Sequence, residues 1–250
     1  MRTITLALLL LLTAGFAVRA QKMEGEITYE RVYHWTRIYS RLTYLSKEEK
    51  DRMQMTWKND DEQKMDMTLF FNDKQTYYTY PLKEELSEGG YSWRKGEFKV
   101  YRDFENEKRM DVIEMLGKTY VLDDSLKMPK WKVMNKIKEV AGYMCMMAVT
   151  EDTIKNQTIT AWFADNLPVS GGPEQYYGLP GMILELDIND GDLVITAKDV
   201  KMRAVTEDEL AVPKKIKGKK LTAEKYDELV GAHMRDSMKQ HRNPFWSLPY

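Results

Sequence analysis

The 250-residue chain has one cysteine, three histidines and no excess of basic side chains, and each scarcity closes off a class of chemistry. A lone thiol, Cys145, has no partner in the chain for a disulfide, so the fold must rest on packing. Imidazole occurs only at His34, His233 and His241, which confines any histidine general base to three places. With 38 basic against 39 acidic residues there is no positive field for a phosphate backbone, and nothing points to nucleic acid as a partner. The sequence contains no Gly-x-Ser-x-Gly elbow, no His-Glu-x-x-His pair and no phosphate-binding glycine loop. It also lacks internal repeats, low-complexity blocks and a polar linker that would divide it.

What is present begins with an export signal. Arg2 precedes a short apolar run from Ile4 to Val18, interrupted by Thr13 and Gly15, and Val18-Arg19-Ala20 offers a cleavage site before Gln21. The run falls short of the roughly 18 to 20 apolar residues of a membrane-spanning helix. Residues 1–20 therefore read as a signal peptide and residues 21–250 as one domain, exported to the periplasm or beyond, with no transmembrane segment in the mature chain. Removing Arg2 and Arg19 leaves 36 basic against 39 acidic residues.

Period-two alternation dominates the rest. Glu26 to Tyr33, Met65 to Phe71, Thr76 to Tyr80, Thr119 to Leu122, Glu139 to Val149 and Thr158 to Phe163 read as strands, with Asn72-Asp73 as a hairpin turn. Ser46 and Glu49 have the spacing of a capping box and predict a short helix over Ser46 to Arg52. Asp190-Gly191 predicts a two-residue type I′ turn, pairing Ile188 with Leu193, Leu186 with Ile195 and Leu184 with Ala197 on an apolar face, and leaving Glu185 and Asp187 on a polar one. Thr222 caps a helix from Ala223 to about Gln240. The fold class expected is α+β, a mainly antiparallel, strongly curved sheet with that C-terminal helix packed against it.

The densest punctuation is in Ala161 to Ile188, AWFADNLPVSGGPEQYYGLPGMILELDI. In Gly178-Leu179-Pro180-Gly181 the proline biases Leu179 toward an extended backbone, and Pro-Gly suits the central positions of a type II turn. This tract, with WKVMNKIKEVAGYMCMMA upstream, resembles the GLPGLI family of secreted Bacteroidota proteins, with Met182 in place of Leu and Ile183 following. Gly142, Tyr143 and Cys145 match a Gly-Tyr-x-Cys pattern common in that family. The resemblance implies an exported domain without an assigned activity and supplies no catalytic residue to carry over. Glycine and proline report backbone demands first, so the role expected of Gly178, Leu179, Pro180 and Gly181 is structural.

Other candidates each have a structural reading beside the chemical one. Ser170 in Val169-Ser170-Gly171-Gly172 looks like a nucleophile loop, yet a turn hydroxyl explains it. Cys145 lies among apolar residues and reads as buried and inert. Glu185 and Asp187, about 7 Å apart on one strand face, suit an acid and base pair or a wet surface. On the C-terminal helix Tyr226, Leu229, Val230, His233, Met234, Ser237, Met238 and His241 share a stripe. There His233, Met234, Met238 and His241 are weak candidates for a soft copper ion, and the stripe is also what packing on a sheet requires.

Lys214 to Lys220 holds five lysines in seven residues and reads as a solvated connector or an anion-touching patch. The apolar tail from Asn243 to Tyr250 either docks back on the body or presents a segment to a partner. Ser125, Thr153 and Ser237 stand in short Asp-Ser/Thr-apolar patterns that resemble O-glycosylation acceptors, and a glycan on Ser237 would forbid its burial. These readings converge on an exported, non-catalytic protein without cofactor that binds an envelope partner or an apolar ligand. The alternatives are an exported hydrolase with an unrecognised site and a copper-binding protein.

Overall fold

Burial along the first strand sets the frame of the molecule. In a computed structural model describing residues 22–58, 60–81 and 96–250, β1 (Gly25–His34) buries Ile27, Tyr29, Arg31 and Tyr33 and leaves the residues between them half-buried. A period of two is the mark of a strand with one covered face. Residues 1–20, expected to be a signal peptide, lie outside the described residues.

After β1 come the helices α1 (Trp35–Ser40) and α2 (Lys47–Trp57), then the strands β2 (Glu62–Phe71), β3 (Gln75–Thr79), β4 (Phe98–Asp103), β5 (Lys108–Met115) and β6 (Lys118–Ser125). A second run holds β7 (Lys132–Val140), β8 (Tyr143–Asp152), β9 (Gln157–Ala164), β10 (Met182–Ile188) and β11 (Leu193–Met202). The chain ends with α3 (Glu207–Leu210), β12 (Lys219–Leu221), α4 (Ala223–Lys239) and a 3₁₀ turn at Pro244–Trp246.

Among the described residues the strands form one open sheet of twelve, in the order β12-β6-β5-β4-β3-β2-β1-β11-β10-β9-β8-β7. Every pairing is antiparallel except that of β12, which runs parallel to β6. The chain thus makes two meanders, β1 to β6 and β7 to β11, joined where β1 pairs with β11. The architecture is mostly β with a C-terminal helix on the core, and the sheet is mixed because β12 joins its edge. That edge strand falls within the lysine-rich connector, where a parallel backbone ladder asks little of the side chains.

The hairpin register expected for β10 and β11 is observed, with Ile188 opposite Leu193 and Leu186 opposite Ile195. The turn differs. Asn189, Asp190 and Gly191 all have positive φ (59°, 57° and 101°), and Asp192 N–H donates to the Ile188 carbonyl at 3.0 Å, closing a longer left-handed loop. Asn and Asp tolerate that region, and the Gly191 N–H is satisfied by Asp187 Oδ1 at 2.6 Å. The strand expected over Glu139 to Val149 is in fact two, because Ala141 and Gly142 (φ 49° and 81°) turn the chain between β7 and β8. Apolar residues on both sides of that turn hide it in the sequence.

Both expected helix caps form. Ser46 Oγ accepts from Glu49 N–H at 3.2 Å while Glu49 Oε2 accepts from Ser46 N–H at 2.8 Å. Thr222 Oγ1 accepts from Lys225 N–H, and Asp124 at the end of β6 accepts from Ala223 N–H at 2.9 Å, fixing the start of α4 to the sheet. α4 buries Tyr226, Val230, Gly231 and Ser237.

The core lies on the face of Ile27, Leu69, Val100, Ile113, Ile159 and Ile195. On the opposite face α3 brings Leu210 to a small aromatic patch where Tyr77 stacks on Tyr101 with centroids 4.2 Å apart. Antiparallel alternation brings the end of β1 and the β5–β6, β8–β9 and β10–β11 turns to one end of the sheet. The tail crosses this end: Leu116 N–H donates to the Ser247 carbonyl at 2.9 Å, and the Tyr250 hydroxyl donates to Asp192 at 2.5 Å. Of the two readings of the tail, docking on the body is the one observed.

Candidate functional site

The loop between β9 and β10, residues 165–181, carries the glycine and proline signature and folds against the core face. Its one positive-φ glycine is Gly178, at 92°. Gly181 is not in the left-handed region, so the expected type II turn over Pro180-Gly181 does not form. Gly181 is needed for space instead, since a Cβ there would stand 2.1 Å from the Ala164 carbonyl oxygen. Leu179 is buried and Pro180 exposed. Ser170 contributes its backbone carbonyl, which accepts from Gly178 N–H at 2.9 Å.

From this loop Glu174 reaches Arg31 of β1 (Nε to Oε1, 3.3 Å) and accepts from the Tyr78 hydroxyl at 3.3 Å. Both charged side chains are almost wholly buried. Burial alone would lower the Arg31 pKa, but Glu174 and the surrounding tyrosines outweigh it and hold the guanidinium charged. Nearby, Asp111 accepts from both Arg102 and Arg109, and their two charges overcome its burial and keep its carboxyl below the usual range. The Tyr177 ring lies 5.2 Å from the Arg102 guanidinium, and Trp131 Nε1 donates to the Tyr177 carbonyl at 2.9 Å.

Two clefts adjoin Lys155, and the smaller of them is lined in part by the loop. The smaller, about 370 Å³, is polar and is lined by Glu151, Asp152, Glu174, Tyr176, Tyr226 and Asp227, with Lys155 at its wall. Burial pushes the Tyr176 and Tyr226 hydroxyls well up, and burial followed by the charge of Asp152 raises Asp227. Asp152 is engaged by the backbone, its Oδ1 accepting from Ile154 N–H at 2.8 Å and Lys155 N–H at 3.0 Å. Lys155 has its pKa lowered by burial and donates to the Pro249 carbonyl at 2.9 Å.

The larger cleft, about 900 Å³, lies on the other side of Lys155 and Tyr250, among the ends of α1 and α4, the β8–β9 turn and the tail. Leu42, Met234, Met238, Pro244 and Phe245 give it an apolar wall, and no Asp or Glu is among the residues that line it. Its cations are Arg41, Lys155 and Arg235. Arg41 is tied to Asp192 and the Asn189 carbonyl, while Arg235 has no carboxylate partner among the described residues. Gln157, 3% exposed at the start of β9, lines the same cleft, and neither atom of its side-chain amide has a hydrogen-bond partner.

The copper candidates divide between clefts. Met234 and Met238 face the larger one, whereas His233 and His241 line another of about 430 Å³. His233 Nε2 lies 3.2 Å from the Pro244 carbonyl and 3.3 Å from Ser237 Oγ, and the His241 ring stacks on Tyr44. Ser237 is 2% exposed, so of the three glycan candidates only Ser125 and Thr153 are at the surface. Glu185 accepts from Lys138 Nζ at 2.5 Å and Asp187 from the Gly191 backbone, so structural partners occupy both carboxylates. Cys145 is buried, and burial pushes its thiol up to about 11.

Residues 149–185 match the model of a family described as a protein of unknown function, Porph_ging. That stretch runs from the end of β8 through β9 and the following loop into the first half of β10, and it supplies Lys155, Gln157 and Glu174 to the clefts. No curated protein matches the chain. Among solved structures the fold is similar to PNGF-II, crystallised in C2 and P21 space groups, each with TM-score 0.52 and 17% identity over 83% of this chain. The chain spans about a third of that protein's length (32% and 33%), and at this identity the likeness is one of fold alone.

Sequence reasoning passed over Arg31, Lys155, Gln157 and Glu174. Two of them carried a signal. Arg31 follows Ile27 and Tyr29 at the inward parity of β1, and Gln157 precedes Ile159 and Ala161 at that of β9.

Proposed function

We propose that this is an exported, non-catalytic protein of the GLPGLI type that binds an apolar ligand in the cell envelope. The larger cleft carries the reading: about 900 Å³ of space, walled by Leu42, Met234, Met238 and Phe245 and lined by no Asp or Glu, suits carriage better than acid–base chemistry. A strongly curved sheet is part of the same proposal. Ten strand spacings separate β6 from β7, roughly 48 Å if flat, whereas residues 126–131 bridge at most roughly 24 Å.

The test is calorimetric titration of the mature chain with dodecanol. Binding is expected for the wild type and is expected to be lost in Met234→Glu and Met238→Glu, both half-buried positions; absence of wild-type binding overturns the reading. A second reading, an exported hydrolase, is favoured by the carboxylates of the smaller cleft. It requires that an envelope glycan or peptide be cleaved by the wild type and not by Asp227→Asn.

A further inference from the structure

We infer that the larger cleft recognises an N-acylated amino acid, an acyl chain ending in an amide N–H and a carboxylate, with Gln157 reading that head group. The inference deepens the apolar-ligand reading above and rests on it. Its starting point is the Gln157 amide. Strand alternation places this side chain on the face of Ile159, Ala161 and Phe163, yet Nε2 and Oε1 are both buried and unpartnered. Leaving a buried polar atom unsatisfied costs about 1–3 kcal/mol, and native proteins keep few of them.

A partner for both atoms must offer an acceptor to Nε2 and a donor to Oε1 together. In an extended amino-acid residue the N–H and the carboxyl oxygen of that same residue point the same way, so a single side-chain amide engages both. The surrounding charge fits the carboxylate: Arg41, Lys155 and Arg235 line the cleft without an Asp or Glu, and although Arg41 is tied to Asp192, Arg235 has no carboxylate partner among the described residues. Leu42, Met234, Met238 and Phe245 then take the acyl chain, within a volume in the range of about 300–1,000 Å³ typical of small-ligand sites.

The experiment titrates the mature chain with N-lauroylglycine, its methyl ester, lauric acid and dodecanol, each below its aggregation limit. N-lauroylglycine is expected to bind at least about 10-fold more tightly than lauric acid or the ester, the size of one good polar contact. Gln157→Leu is expected to remove that preference, to leave dodecanol unchanged and to raise the melting temperature of the free protein. Arg235→Gln, on the exposed side of a helix, is expected to weaken N-lauroylglycine several-fold without touching dodecanol. Equal affinity for all four compounds, or an unchanged preference in Gln157→Leu, overturns the head-group assignment while the apolar reading stands. Failure of every compound to bind takes both down.

Discussion

Replacing Glu174 by Gln tests whether the signature loop is pinned to the sheet by charge. The substitution keeps the shape of the side chain and removes its charge, leaving Arg31, 3% exposed, without a counter-ion. Stranding one member of a buried pair costs about 3–5 kcal/mol. Part of this is offset here, since the Arg31 guanidinium lies 4.9 Å from the Tyr33 ring and 5.5 Å from that of Phe98 and keeps those contacts, together worth about 1 kcal/mol. The Tyr78 hydroxyl also still finds an oxygen. The expected loss is about 2–4 kcal/mol, measured by urea unfolding followed through tryptophan fluorescence with an unchanged m-value. Arg31→Met with Glu174→Gln removes both charges and is expected to recover at least half of the loss, a coupling that a double-mutant cycle isolates. A single-mutant cost below about 0.5 kcal/mol, or strict additivity, would refute the claim that this pair holds the loop.

Gly181→Ala is expected to destabilise by about 2 kcal/mol or more in the same assay, because the new Cβ meets backbone at Ala164 rather than a side chain able to move; a neutral result would mean that β9 shifts freely. Cys145, with its thiol pushed up to about 11, is expected to resist a thiol reagent at pH 8 until the protein is unfolded, and rapid native labelling contradicts the burial seen here. Glu209, hydrogen-bonded by Arg203, has its carboxyl held down to about 2. Its folded pKa is depressed, so its contribution is present above about pH 4.5 and lost as the pH falls toward 2, and Glu209→Gln should lack that part of the acid decline. At this partly exposed rim the effect is about 1 kcal/mol, read from stability measured at pH 7 and pH 3.

How far this fold was legible depended on whether side chains obeyed the period of their strand. The β10–β11 register followed from Leu186, Ile188, Leu193 and Ile195, whose alternation leaves one solution for an Asp-Gly turn. β4 and β5 escaped because Arg102 and Asp111 occupy inward positions and neutralise each other across the sheet, which destroys the apolar period while satisfying the interior. β7 and β8 merged because apolar residues flank Ala141-Gly142, and β12 was hidden by its lysines.

The larger cleft was harder still, for Leu42, Gln157, Arg235 and Phe245 come from four distant segments that meet only because the strand order brings their turns to one end. Yet its most informative residue was visible as a violation. A polar side chain at the inward parity of an apolar strand is either paired, as Arg31 is by Glu174, or left without a partner in the chain, as Gln157 is. Among the described inward polar residues of this sheet, Arg31, Arg102 and Asp111 each have a charged partner within the protein, whereas both amide atoms of Gln157, in the wall of the larger cleft, have none. Local rules fail where the structure has another use for the residue. By that criterion the place to look for function is the start of β9.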